Sequence, residues 1–250
     1  MFSVIIPTFN NINYLKICLE SLKKNSSYTH EIIIHVNEGV DGTLEHVKSN
    51  NLKFSYSKIN SGVCVAFNKA VKLSTKNYIV LGHDDMYFCP GWDKVFFDEK
   101  KLLDNINQLK FDNFQGTHWQ PSLIPISTWN KVGGFSEEFS PGLGSDPDFN
   151  MKLWKLGVRL FKGLGNCRVY HFSSLSLRKK AWNNGAKTFL LKWGISIKFF
   201  KKYYLKSDKM FDGELSEPKR SIPFYFDLIK CKISYLYHLI FTKMTSKIKF

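Results

Sequence analysis

Four short apolar runs, each stopped by polar residues and each separated from the next by a segment of helical spacing, constrain this chain more than any other feature. Ser3 to Pro7 is rich in β-branched residues and ends against Pro7, with the polar turn Thr8-Phe9-Asn10-Asn11 behind it. Leu15, Cys18, Leu19 and Leu22 then recur at helical spacing, and Lys23 and Lys24 close the segment with cations suited to a helix carboxyl end. Glu31 to Val36 is a second strand, Lys53 to Ser57 a third and Tyr78 to Leu81 a fourth. Helical stretches open between them near Thr43 and at Asn60-Ser61-Gly62. Strands alternating with helices predict an α/β fold, a mostly parallel central sheet flanked by helices, in which ligands sit beyond the carboxyl ends of the strands. Three polar segments fall at those ends: Thr8 to Asn10, Asn37 to Asp41, and His83-Asp84-Asp85.

Adjacent acids such as Asp84 and Asp85 repel, so something must hold them. A hard divalent cation with phosphate oxygens beside it would do so, and so would a solvated turn in which Asp stabilises the backbone. The apolar Met86-Tyr87-Phe88 and the corner Pro90-Gly91-Trp92-Asp93 that follow predict a cleft rather than an open surface turn. A second acid pair lies in GLGSDPDFNMKLW. Gly142 and Gly144 let the backbone approach a ligand, and Phe149, Leu153, Trp154 and Leu156 form the apolar face of a helix. Asp146 therefore falls at or before a helix amino end, where it or Asp148 could equally serve as a cap.

Charge is unevenly spread. Of the formal net charge of +15, most belongs to residues 175–250, where 17 Lys and Arg face 5 Asp and Glu. That weakens a nucleic-acid role for the body and points the tail toward something anionic, such as a membrane surface. A non-catalytic basic module binding nucleic acid or an anionic membrane is the alternative to an enzyme. The five cysteines are widely spaced with no CxxC pair, which excludes a disulfide framework and a zinc site as expectations and suits a reducing, cytoplasmic setting. VIIP follows the start directly, so no secretory leader is expected, and no run is long enough to cross a bilayer. No GxGxxG follows the first strand, which disfavours a dinucleotide-dependent oxidoreductase. In the tail, Trp182, Ala186, Phe189, Leu190, Trp193, Ile197, Phe200 and Tyr204 keep helical spacing, with Lys180, Lys187, Lys192, Lys198, Lys201 and Lys202 expected elsewhere on the surface. A second stripe of Phe226, Ile229, Ile233, Leu236, Tyr237 and Ile240 lies beyond a polar, looped segment from Ser207 to Ser221. Both stripes could cover the body or a partner subunit, or the second could lie in an anionic lipid interface.

Taken together, VIIPTFN, EIIIHVNEGVDGT, NSGVCVAFNKAV, YIVLGHDD and VGGFSEEFSPGLGSDPDFNMKLWKLG resemble the inverting family 2 glycosyltransferases, over roughly residues 3 to 172. The resemblance implies the nucleotide-sugar-binding GT-A fold, with residues 1–110 as the nucleotide-sugar half, 111–205 as the acceptor and base half, and 206–250 as a basic helical tail. It implies a donor such as a UDP-, GDP- or dTDP-sugar and a glycan, lipid or protein acceptor, with no nucleic acid. Pro7, Thr8, Phe9, Asn37, Asn60, Gly62 and Asp84 would bind the nucleotide. Asn37 stands where the family often has an Asp, and the motif is His-Asp-Asp rather than Asp-x-Asp. Asp85, with Asp84 and His171, would hold Mn2+ or Mg2+. Asp146 would be the general base, with Asp148 as the fallback. Trp119, Gly134, Phe135 and Asp148 would lie toward the acceptor, and Trp119, Trp129 and Phe135 would either stack on sugars or serve as core aromatics.

Overall fold

The computed structural model describes residues 1–98, 103–111, 122–159, 161–172, 183–206 and 214–247. Trp119, Lys180, Trp182 and residues 207–213 of the expected loop lie outside them. The strands are β1 (Ser3–Phe9), β2 (Glu31–Asn37), β3 (Lys53–Ser57), β4 (Tyr78–Leu81), β5 (Met86–Phe88), β6 (Ile106–Phe111), β7 (Leu123–Pro125) and β8 (Phe161–His171). The helices are α1 (Ile12–Asn25), α2 (Thr43–Ser49), α3 (Val63–Val71), α4 (Lys94–Asp98), α5 (Ile126–Val132), α6 (Ser145–Lys155), α7 (Gly185–Trp193), α8 (Ile197–Phe200) and α9 (Ile222–Lys247). A π-helical turn, Lys201–Leu205, extends α8.

One sheet runs in the order β3-β2-β1-β4-β7-β6-β8-β5. The first four strands are parallel, as is the β6-β8 pair, while β7 runs antiparallel to both neighbours and β5 antiparallel to β8. The sheet is covered on both faces because successive strand residues point to opposite sides. Ile5, Ile33, Ile79 and Leu81 meet Phe67, Trp129, Phe149 and Phe200 on one side. Val4, Ile6, Ile34 and Val80 meet Leu15, Cys18, Val47 and Trp92 on the other.

The expectation that Pro7 ends the first strand fails by two residues. Ile5 turns its carbonyl toward β4, where it accepts from Gly82 N–H at 2.9 Å, and Pro7 has the same parity. Pairing of β1 with β4 stops at Ile5 opposite Leu81, so the N–H that proline lacks would face a side with no strand. β1 and β2 continue in register to Phe9 and Asn37, four residues or roughly 13 Å beyond the level where β4 stops. This recess at the carboxyl edge receives the turn that carries Asp84 and Asp85.

Candidate functional site

The recess is walled by the ends of β1 and β2 and by the loop before α3. Thr8 and Asn37 are buried there, 2% and 3% exposed, and Phe9 lies opposite Asn37 in the register. The loops above are held in an unusual backbone geometry, since Asn10 and Glu38 both have positive φ, 46° and 60°. Their side chains brace one another. Asn10 Oδ1 accepts from Gly39 and Val40 N–H, both at 3.0 Å, Asn10 Nδ2 donates to Glu38, and Glu38 accepts Asn60 N–H at 3.1 Å. Neither Asn10 nor Glu38 was legible as a site residue, because their role is to support backbone.

Asn37 Oδ1 accepts both Ser61 N–H at 3.0 Å and Ser61 Oγ at 2.9 Å. Ser61 N–H can only donate, so the amide oxygen must be the atom facing it, which leaves the Asn37 nitrogen as the group with donors to offer. Asn60 turns back on its own backbone, accepting Gly62 N–H at 2.9 Å, and so opens α3. Gly62 has φ of 84°, and a Cβ there would stand 3.0 Å from both Pro141 Cα and Ser140 Cβ. That contact, with Val63 N–H donating to Pro141 O at 3.1 Å, fastens the segment before α6 to the start of α3.

The strand-end acids are both 4% exposed. Burial pushes Asp84 up to about 7, the Asp85 charge adds to that, and Thr8, Asn11 and the Phe9 backbone pull it down. Thr8 Oγ1, Asn11 Nδ2 and Asp84 Oδ2 lie together, close enough to lower the Asp84 carboxyl but without a full hydrogen bond among the described residues. Orphaned polar atoms gathered at one point mark a place where a polar ligand completes the set. Asp85 differs: burial pushes it up, but the hydrogen bond and charge of His171 and the charge of His83 outweigh this and hold it below the usual carboxylate range. His171 Nε2 lies 2.9 Å from Asp85 Oδ1, and its ring stacks on that of His83 at 5.4 Å. Asp93, the remaining acid of this stretch, is structural: it takes Ser27 N–H, Tyr28 N–H and His30 Nε2 at 2.9, 3.0 and 2.7 Å.

Among the described residues no three His, Cys, Asp or Glu side chains gather in a metal-binding group. Asp85 with His171, beside the orphaned Asp84 oxygen, is a smaller donor set. It fits an ion that takes few protein ligands and fills its shell with phosphate oxygens and water.

The second acid pair begins α6. Gly144 precedes the helix at φ of 85°, and no side chain caps the helix, so neither Asp146 nor Asp148 is the expected cap. Asp146 is half-buried. Burial holds its carboxyl up at about 6, against the charge of Lys201. Asp148 is fully buried and fully engaged. Ser136 Oγ donates to its Oδ2 at 2.7 Å, while Trp193 Nε1 and Lys192 Nζ reach its Oδ1 at 2.8 and 2.9 Å. Lys192 stays exposed, as expected, while its ammonium reaches back to Asp148 and also meets Glu138 at 2.9 Å. The first apolar stripe of the tail covers the body through Phe189, Leu190 and Phe200, although Ala186 faces solvent.

Of the expected sugar platforms, the two that lie among the described residues are not presented to a ligand. Phe135 and Trp129 are each 4% exposed and pack with Phe149 at ring distances of 5.1 and 5.3 Å, so their faces are spent in the core. Gly134 has φ of 64° and a Cβ there would stand 2.5 Å from Asn68 Oδ1, which explains the glycine by packing. The two acid pairs are linked through this core: Phe67 touches the His83 ring edge at 5.9 Å and Phe135 at 5.4 Å, and Phe135 rests on Phe149 of α6.

A family model described as glycosyl transferase family 2 matches residues 3–143. The hyaluronan synthase of Pasteurella multocida is 26% identical over 211 residues, which span 72% of this chain but only 21% of that protein. An uncharacterized glycosyltransferase of Mycoplasma genitalium is 35% identical over 114 residues, 41% of this chain and 38% of the other. The matched segments thus span well under two thirds of the length of these relatives. Among solved structures, S. aureus TarS with UDP-GlcNAc superposes with a TM-score of 0.61 at 19% identity, covering 76% of this chain and 64% of that one. The mannosyltransferase PcManGT from Pyrobaculum calidifontis, with GDP-Man and Mn2+, gives 0.57 at 16% identity, covering 92% and 68%. With a parallel-sheet crevice edged by buried acids and a family match over more than half its length, the chain belongs to glycosyltransferase family 2.

Proposed function

We propose that this glycosyltransferase is inverting and metal-dependent. It moves a sugar from a UDP-, GDP- or dTDP-sugar to a hydroxyl of a glycan, lipid or protein acceptor. Residues 1–110 bind the donor, 111–205 carry the base and the acceptor wall, and 206–250 form an appended tail. Pro7, Thr8, Phe9, Asn37 and Asp84 line the nucleotide side, and the Asn37 nitrogen donates to an acceptor atom of the base. Asp85 and His171, with Asp84 beside them, hold the ion. When bound there, Mn2+ or Mg2+ supplies positive charge against the departing diphosphate.

Asp146 takes the proton from the acceptor hydroxyl as that oxygen attacks the anomeric carbon opposite the leaving group, so one carboxylate suffices for inversion. A carboxyl near 6 is mostly ionised at neutral pH yet more basic than a surface aspartate. Asp148 positions α6 and is left out of the proton transfer by its three partners. The observation that carries this reading is the contact of Gly62 and Val63 with Ser140 and Pro141. It ties the base-bearing turn to the helix that borders the donor crevice.

The test is a thermal-shift panel of UDP, GDP and dTDP, with and without Mn2+, on the full chain and on Asp85→Ala. A ligand that binds only the native state raises its midpoint. One nucleoside diphosphate should do so only with Mn2+, and the variant should lose the effect. No shift with any of them, at any Mn2+ concentration, would sink the donor reading.

A further inference from the structure

Helix α9 carries apolar residues on two faces, and only one of them is used. Its inner face is fixed: Phe224 and Cys231 are buried, Phe224 packs on Phe199 and Tyr203 at 5.1 Å each, and Cys231 Sγ lies 3.5 Å from Ser196 Oγ. Asp227 Oδ2 accepts from Lys202 Nζ and Tyr203 Oη, both at 2.8 Å. With that face docked, Ile222, Phe226, Ile229, Ile233, Leu236 and Ile240 are turned outward, each between 54% and 87% exposed. At 3.6 residues per turn these six fall within an arc of roughly 80°, over a length of about 27 Å. Such a row is far more apolar surface than a folded protein leaves in water without purpose.

The flanks say what covers it. On the same wheel Lys230 and Lys232 stand about 80° to either side of the centre of the stripe. Lys230 Nζ lies 4.3 Å from the Phe226 ring centroid, its stem lying along the apolar surface while the charge stays at the rim. The acids nearby are paired with cations of the body, Asp227 with Lys202 and Glu217 with Arg159 at 2.7 Å. Pairing with a second copy would set lysine rim against lysine rim. No described helix is long and apolar enough to cross a membrane. We propose that the outward face of α9 lies in the plane of an anionic lipid bilayer, its stripe among the acyl chains and its lysines at the headgroups. This surface uses none of the residues assigned to transfer and stands whether or not the donor reading holds.

The experiment is flotation of the full chain with vesicles of phosphatidylcholine alone and of phosphatidylcholine with phosphatidylglycerol, alongside light scattering. The protein should float with the anionic vesicles, less so in high salt. Ile229→Glu with Ile233→Glu should weaken this about tenfold or more, as should Lys230→Glu with Lys232→Glu. Since these side chains are exposed, the thermal midpoint should stay put. Absence of flotation, flotation indifferent to the paired changes, or a dimer dissolved by Ile233→Glu without vesicle binding would each overturn the proposal.

Discussion

The chain carries two acid pairs, one after β4 and one at the start of α6, and in each the two carboxylates are treated in opposite ways. At the end of β4, Asp85 is tied to His171 and held below the usual range, while burial pushes Asp84 up to about 7. At the start of α6, Asp148 is tied to Ser136, Trp193 and Lys192, while burial holds Asp146 at about 6. The difference lies in what holds the tied member. Asp85 has one imidazole partner, whereas Asp148 has three partners, one from the loop after α5 and two from α7, and no exposure. The first tie is a single contact; the second is part of the architecture.

The largest effect that would break this comparison is on transfer itself. Asp146→Asn should lower kcat by about a hundred- to ten-thousand-fold. The same change should raise stability at pH 8. A carboxyl raised in the folded state favours folding below its unfolded value near 4, and that support is lost as pH rises through about 6. Activity of the unaltered chain should climb over the same interval in a pH-rate profile. If transfer survives in Asp146→Asn and vanishes in Asp148→Asn, the assignment within that pair is reversed.

Next in size, His171→Ala should leave nucleotide binding without Mn2+ intact while removing the Mn2+-dependent part of the thermal shift, worth about 2.7 kcal/mol at a ligand concentration a hundred times Kd. A variant that kept the full shift would separate His171 from the ion. Asp148→Ala should cost roughly 2 kcal/mol in urea unfolding, because it takes the acceptor from the Trp193 indole N–H and the Ser136 hydroxyl. Little change there would show that the three partners are incidental. The smallest effect is expected at Asp84→Asn, a gain on the order of 1 kcal/mol at pH 8 without ligand, which disappears below pH 4. The sign again follows from a raised carboxyl, and a loss instead of a gain would mean that the Asp84 charge is supported in the free protein.

Much of the fold was legible because strands and helices announce themselves through local periodicity. Ser3, Glu31, Lys53 and Tyr78 begin strands as expected, and α1, α2 and α3 lie between them. The acids at the end of β4 were legible for the same reason, since turn residues that follow a buried strand stand at a sheet edge. Pro7 misled because a missing N–H matters only if a neighbour strand is there to use it, and β4 had already ended. Phe135 and Trp129 carried no sign of which way their rings faced. Glu38, Asn10 and Ser61 lay in segments that the sequence singled out, but it did not show their bracing role, since polar loop residues look alike whether they meet water or brace a backbone.

The sequence by itself determined the order of strands and helices, the polar segments at the strand ends, and the helical spacing of both tail stripes, all properties of neighbours along the chain. Only the tertiary structure decided which acid in each pair is tied. Asp85 meets a histidine 86 positions away and Asp148 an indole 45 positions away, and burial sets the rest. It also decided that α7 and α8 turn their stripe inward while α9, apolar on two sides, turns one outward. Periodicity says that a helix has a face, and only packing says what lies against it.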